Sequence, residues 1–324
     1  MIATLLVAIA AALASALMFA SIISGALVSL LLFSLAPLPL MVAALGWGPF
    51  CAAVGGITAA CALGLTFGFP SCAAFVLGIA LPAWWLGHLA LLGRPNAADA
   101  SPANDAAALE WYPVGRILLW IAVFATITIT ATLLTFGSDA AAMHDTMRDS
   151  LARTLQSADV ALSDRRIEAL VIIAPPAAAI SVMAALTLNL WLAAKITATS
   201  GQLRRPWPDL KSTALPPLTI AVLLAAIALC FSAGLPAVVA QIVTAALTIA
   251  YALAGFAVLH TLTVALKNRS FWLSCGYLIV AVFSWPVLVM AALGLADAVF
   301  GLRRRYLQGR SPPSRHPKSL NSRP

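Results

Sequence analysis

From Met1 to Gly93 the chain carries no Asp, Glu, Lys or Arg, and the first formal charge is Arg94. A bilayer core about 30 Å thick takes roughly 20 apolar residues of helix. That measure predicts nine apolar segments, at about 2–21, 24–46, 49–68, 71–92, 114–136, 169–196, 214–233, 236–264 and 271–301. They are continuous apolar runs and lack the short in–out alternation of an outer-membrane barrel. The predicted fold class is therefore all-α, a polytopic transmembrane helix bundle of about 8–9 membrane helices plus a surface amphipathic helix. The first run, LLVAIAAALASALMFA at residues 5–20, lacks the basic flank of a signal peptide and leads into further apolar sequence, so it reads as a retained membrane helix.

Polar stretches divide the pattern into a four-helix membrane block at 1–93, a polar linker at 94–113, a second membrane block at 114–301 and a basic, disordered tail at 302–324. Within the second block, residues 137–168 hold Met143, Met147, Leu151 and Leu155 at four-residue steps, with Asp149 four before Arg153. This predicts an amphipathic helix near 139–158 lying on the membrane surface. A third break, TSGQLRRPWPDLKSTALPP, is basic, and Pro206 and Pro208 bracket Trp207, which opposes helix and suggests an interfacial anchor.

Charge sets the expected orientation, because Lys and Arg collect in cytoplasmic loops. Lys195, Arg204, Arg205 and Lys211 surround one break, and Lys267 and Arg269 follow the eighth segment, so both sites read as cytoplasmic. Residues 137–168, richer in acids than in Arg, fall on the other side. A further full crossing at 271–301 would place Arg303, Arg304 and Arg305 opposite the other cations. Either that segment bends back at Trp285–Pro286 or the tail departs from the rule.

Composition agrees with the pattern: 62% of the 324 residues are hydrophobic and 9% charged, against about 25% charged in a soluble domain. The net charge of +8 does not imply nucleic acid, since seven of the nineteen Lys and Arg lie in the last 22 residues. Basic flanks of a membrane protein set orientation or meet anionic lipid. The cysteines Cys51, Cys61, Cys72, Cys230 and Cys275 all lie within apolar segments at no metal-ligand spacing, and read as small packing residues.

Rare polar groups inside apolar segments are the candidates for chemistry, because charge at the bilayer centre costs at least about 2.5 kcal/mol. Asn189, Gln241, His260 and Asp297 are the candidate ligand-binding residues. The leading alternative for Asn189 and His260 is that they bridge helices, and for Asp297, six residues before Arg303, that it lies at the interface. His88 follows Trp84 and Trp85 in an interfacial aromatic group. No nucleotide loop, zinc-protease motif or hydrolase elbow occurs, so no catalytic residue, metal site or cofactor is assigned and the chain is not expected to be an enzyme.

The stretches LAPLPLMVAALGWGPFCAAVGG, ALPAWWLGHLALLGR, SGQLRRPWPDL and LGLADAVFGLRRR resemble the YybS-like family of predicted bacterial membrane proteins. That family is similar in its membrane core to the S-components of energy-coupling-factor transporters. The resemblance implies a bacterial inner-membrane protein that binds or transports a small molecule with a coupling subunit as partner. In S-components, small residues four apart on the first helix meet that subunit, and Ala8, Ala12, Ala16 and Ala20 match the spacing. Packing within the chain is the other reading of this strip. More than six apolar segments and the surface helix depart from S-components, and a membrane scaffold or assembly factor without transport is the alternative function. The expected partners are the lipid bilayer and other membrane proteins, without nucleic acid.

Overall fold

A computed structural model describes residues 2–95, 109–137, 139–157, 162–265, 267–283 and 285–308. It is an all-α membrane bundle in which seven helical spans are long and apolar enough to cross a bilayer. The first is α1 (Ile2–Ala20), prolonged by a 3-10 turn to Ser24. The second is α2 (Leu27–Ser34) with α3 (Pro37–Trp47), and the third α4 (Pro49–Phe67). In the fourth, α5 (Phe69–Phe75) passes through a π turn at Val76–Ala80 into α6 (Leu81–Ala90). Pro82 explains the π turn: its ring crowds the carbonyl four residues back, at Gly78, and the wider turn makes room.

After a two-stranded link, β1 (Gly93–Pro95) paired with β2 (Leu109–Trp111), come α7 (Val114–Leu134), α8 (Ala140–Ser157) and α9 (Asp164–Thr199). At 36 residues α9 is about 54 Å long, far more than a bilayer core needs, so its first turns project beyond the bundle. There α8 packs beside it, with His144 Nε2 2.9 Å from Glu168 and Arg148 3.2 Å from Asp164. Met143 turns inward against Ile129, Leu133, Ala179 and Ile242. The expected surface helix is thus α8, with its apolar stripe turned toward the bundle.

The expected segment at 214–233 forms only α10 (Leu218–Leu229), about 18 Å long, because the preceding Pro-rich stretch stays irregular. It is followed by α11 (Leu235–Leu262), the last of the seven spans. The segment at 271–301 is not one crossing. It divides at residues 283–285 into α12 (Arg269–Val282) and α13 (Pro286–Phe300), and Pro286 takes the first turn of α13, where its missing N–H costs nothing.

Contacts fix the direction of each half. Arg269 and Tyr277 of α12 both meet His260 near the end of α11, so α12 runs back along α11. Helix α13 then returns parallel to α11. Gly255 and Gly294 bring these two backbones together: a Cβ on Gly294 would strike the Tyr251 carbonyl oxygen and lie 2.8 Å from the Gly255 nitrogen, and one on Gly255 would strike the Met290 carbonyl oxygen. Small residues of this kind are what allow close helix approach where lipid supplies no hydrophobic drive. The chain ends in α14 (Leu302–Gln308), where the Tyr306 hydroxyl donates to the Leu262 carbonyl at the end of α11. The segment therefore bends back, and Arg303, Arg304 and Arg305 join the cations of the third break. The remaining tail, 309–324, lies outside the described residues, as does most of the polar linker, 96–108.

One apolar core runs through the bundle, with Leu40, Met41, Phe75, Leu86, Ile121, Met183, Leu186 and Tyr251 all buried. Ala8 and Ala12 are buried, and a Cβ on Gly55 of α4 would come within 2.9 Å of the Ala8 carbonyl oxygen. At Ala8 and Ala12 the strip on the first helix is buried within the chain, as the internal-packing reading has it. Because the basic residues gather at one end and α8 lies at the other, reporter fusions at Lys211 and after Arg305 are expected to show cytoplasmic activity and a fusion at Asp145 none. Opposite sides for the Lys211 and Arg305 fusions would contradict the folded-back α12–α13 pair.

Candidate functional site

The irregular stretch between α9 and α10 shapes the site. Pro206, Pro208, Pro216 and Pro217 deny it helical hydrogen bonds, and in an apolar bundle its polar groups must find partners inside the protein. Arg205 supplies two of them, donating from Nη1 to the Ala90 carbonyl at the end of α6 (3.2 Å) and from Nη2 to the Tyr112 carbonyl just before α7 (3.0 Å). Its guanidinium also lies 5.9 Å from the Trp111 ring. Burial lowers the Arg205 pKa from its usual value, yet a guanidinium starts so high that it stays charged. Next to it Trp207 is covered by the Lys195 ammonium, 4.3 Å from the ring centre, a cation–π contact from α9.

Held in this way, the stretch closes over a cavity of about 520 Å³ between α7, α9 and α11. The walls are apolar: Ile117, Leu118 and Ile121 from α7, Leu190 and Ala194 from α9, and Leu253 and Ala257 from α11. The Thr187 hydroxyl on the same wall is buried without a hydrogen-bond partner among the described residues. At the basic end the lining becomes polar, with Arg205, Asp209, Lys211, His260 and Tyr277. Size and composition both match small-molecule sites, which are clefts of about 300–1,000 Å³ with few placed polar groups.

Of the candidate ligand residues, His260 alone lies on this cavity. Its Nε2 is 2.6 Å from the Tyr277 hydroxyl, and the Tyr277 ring stacks on Phe256 at 5.1 Å. Asn189 is fully buried away from it and does structural work: its amide donates to the Ser34 carbonyl at 2.7 Å. That carbonyl needs a donor because the residue 38 N–H turns to Leu35 at the Pro37 kink. Gln241 lies nineteen residues before His260 on α11, about 28 Å away by helical rise.

Asp297 is not among the residues that line the cavity and forms a latch with Arg303. It is 8% exposed, its Oδ2 meets the Arg303 Nη2 at 2.7 Å and Nε at 2.8 Å, and its Oδ1 accepts from the Arg303 backbone N–H at 2.8 Å. Gly301 makes this possible, because its left-handed backbone (φ 63°) turns the chain at the end of α13. Arg303 then donates from Nη1 to the Lys211 carbonyl, so the latch ties the end of α13 to the stretch over the cavity. His88 lies away from the cavity, stacked on Trp84 in an aromatic group with Trp85 and Trp120. Sequence reasoning missed Arg205, Lys211 and Tyr277 as cavity residues. The available signal was the pairing of four prolines with cations in a stretch too apolar at its end to be a free loop.

A family of predicted membrane proteins, DUF2232, matches residues 12–298. The chain belongs to that family. The match takes in every wall of the cavity, and the family carries no established function. Nothing among curated proteins matches the chain, and no solved structure does either.

Removing one partner of a buried ion pair typically costs roughly 3–5 kcal/mol, because the other charge is left unpaired. Asp297→Ala and Arg303→Ala are each expected to lower the melting temperature of the purified protein, and the double variant to lose much less than the sum. Additive losses in such a cycle would show that the two side chains do not act as a pair.

Proposed function

We propose that this member of the DUF2232 family is a small-molecule-binding subunit of a bacterial inner membrane, similar in role to S-components, and that binding, not catalysis, is its activity. The observation that carries this reading is the 520 Å³ cavity, apolar in its walls and polar at its basic end. Two further features support it. Irregular backbone within a membrane bundle is characteristic of stretches that line cavities. The unpartnered Thr187 hydroxyl is a polar group whose burial costs about 1–3 kcal/mol unless something in the cavity satisfies it. Handing the ligand on would require a second membrane protein that supplies the energy, and nucleic acid has no part in this reading.

The test is ligand-dependent thermal stabilisation in a metabolite screen, since a ligand bound only by the native state at 100 times its Kd adds about 2.7 kcal/mol. Ala194→Leu puts extra methyl groups into the cavity. It is expected to leave the unliganded melting temperature unchanged or raised while abolishing the ligand shift. A screen with no stabilising compound, together with a co-purifying membrane protein, would favour the alternative, a scaffold or assembly factor.

A further inference from the structure

Most of the cavity lining is buried or half-buried, but six of its residues are exposed: Trp191 on α9, Trp207, Asp209, Leu210 and Lys211 on the irregular stretch, and Tyr277 on α12. They mark the mouth. Trp191, Trp207 and Tyr277 are 44%, 42% and 44% exposed, so three amphipathic rings frame the opening from three different elements. Trp and Tyr take such positions where hydrocarbon gives way to headgroups. The mouth also adjoins α12, none of whose described residues is buried and which turns Phe271, Trp272, Leu278 and Val282 outward. Those side chains are what a lipid-facing helix presents.

Among the described residues, cations outnumber acids at the mouth. Arg205 and Lys211 line the cavity, and Lys195 stands over Trp207. None of the ion pairs among the described residues involves any of the three. Arg205 donates to neutral carbonyls, and among the described residues it makes no ion pair. The one acid of the lining, Asp209, accepts the Lys211 backbone N–H at 3.2 Å. Behind this cationic, aromatic rim the chamber is apolar apart from the hydroxyls of Thr187 and Thr213.

We infer that the ligand is an anionic amphiphile, with a phosphate or carboxylate head at the Lys211 rim and an apolar chain in the chamber, admitted from the bilayer interface between Trp191, Trp207 and Tyr277. This inference rests on the proposed binding role and specifies its ligand class. Free phosphate would find the cations but leave the chamber empty. A neutral lipid chain would fill the chamber but leave the cations unpaired. Only a molecule with both parts uses the whole site.

The experiment uses the full chain in nanodiscs of zwitterionic lipid and compares hexadecyl phosphate, hexadecanol and inorganic phosphate by melting temperature and by native mass spectrometry. Hexadecyl phosphate is expected to bind saturably, hexadecanol at least about tenfold more weakly, and inorganic phosphate neither to bind nor to compete. Lys211→Gln removes a charge while keeping the backbone carbonyl that Arg303 holds. Loss of a charge-assisted contact should weaken hexadecyl phosphate about 10- to 100-fold with the unliganded melting temperature unchanged. Ala194→Leu should abolish binding. Equal binding of hexadecanol would overturn the anionic head, and binding of inorganic phosphate alone would overturn the amphiphile. In both cases the binding role survives if Ala194→Leu still blocks the site. If no probe binds while a compound from the metabolite screen does, the ligand class alone falls, and silence in both falls on the binding role itself.

Discussion

A carbonyl that leaves a helix inside an apolar bundle has no water to turn to, and the rest of this structure follows from where such carbonyls find donors. Proline creates the need. At the kink between α2 and α3 the Ser34 carbonyl is taken by Asn189 from α9. At the basic end Arg205 takes the carbonyls of Ala90 and Tyr112, and Arg303 takes that of Lys211. Each of these bonds joins elements distant in the chain, so satisfying the backbone also fixes which helices are neighbours.

The cavity is a consequence of this pinning. A Pro-rich stretch that was free to leave the bundle would open the space between α7, α9 and α11 to whatever lay outside. Drawn inward by Arg205 and held from the other side by the Asp297–Arg303 latch, it becomes a wall. The latch in turn depends on the glycine contact between α11 and α13, because only backbones in direct contact bring the end of α13 over the Lys211 carbonyl. Ala214 completes the arrangement: its carbonyl packs where a Cβ on Gly115 of α7 would lie, so the stretch seats directly on that helix.

Much of the fold was legible in the sequence because the signals were local. The absence of charge before Arg94 marks the first four spans, and the four-residue steps from Met143 to Leu155 mark α8. Charge also exposed a conflict at residues 271–301 and offered a bend at Trp285–Pro286 as one solution, which is the one the chain adopts. The site was less legible. Asn189, His260 and Asp297 stood out as rare polar residues, but rarity does not say whether a group faces a ligand or a helix: all three join elements, and His260 also lines the cavity. Arg205 and Lys211 looked like ordinary loop cations because the carbonyls that Arg205 holds, and the Arg303 guanidinium that holds the Lys211 carbonyl, lie about ninety residues or more away, beyond any spacing rule.

The stretch between α9 and α10 forms a wall of the cavity, with Thr213 and Leu215 turned inward, and Arg205 and Arg303 hold it there. Thr213 is the residue to probe, since it lines the cavity and is only 6% exposed, whereas Lys267 at the same end is exposed. In a background without the native cysteines, Thr213→Cys and Lys267→Cys can be compared for their rate of reaction with a membrane-impermeant maleimide added from the basic side. The account predicts slow labelling at position 213, fast labelling at 267, and a marked acceleration at 213 when Arg303→Ala is added. Labelling at 213 as fast as at 267 in the otherwise unaltered chain would show that the stretch is a free loop that does not wall the cavity.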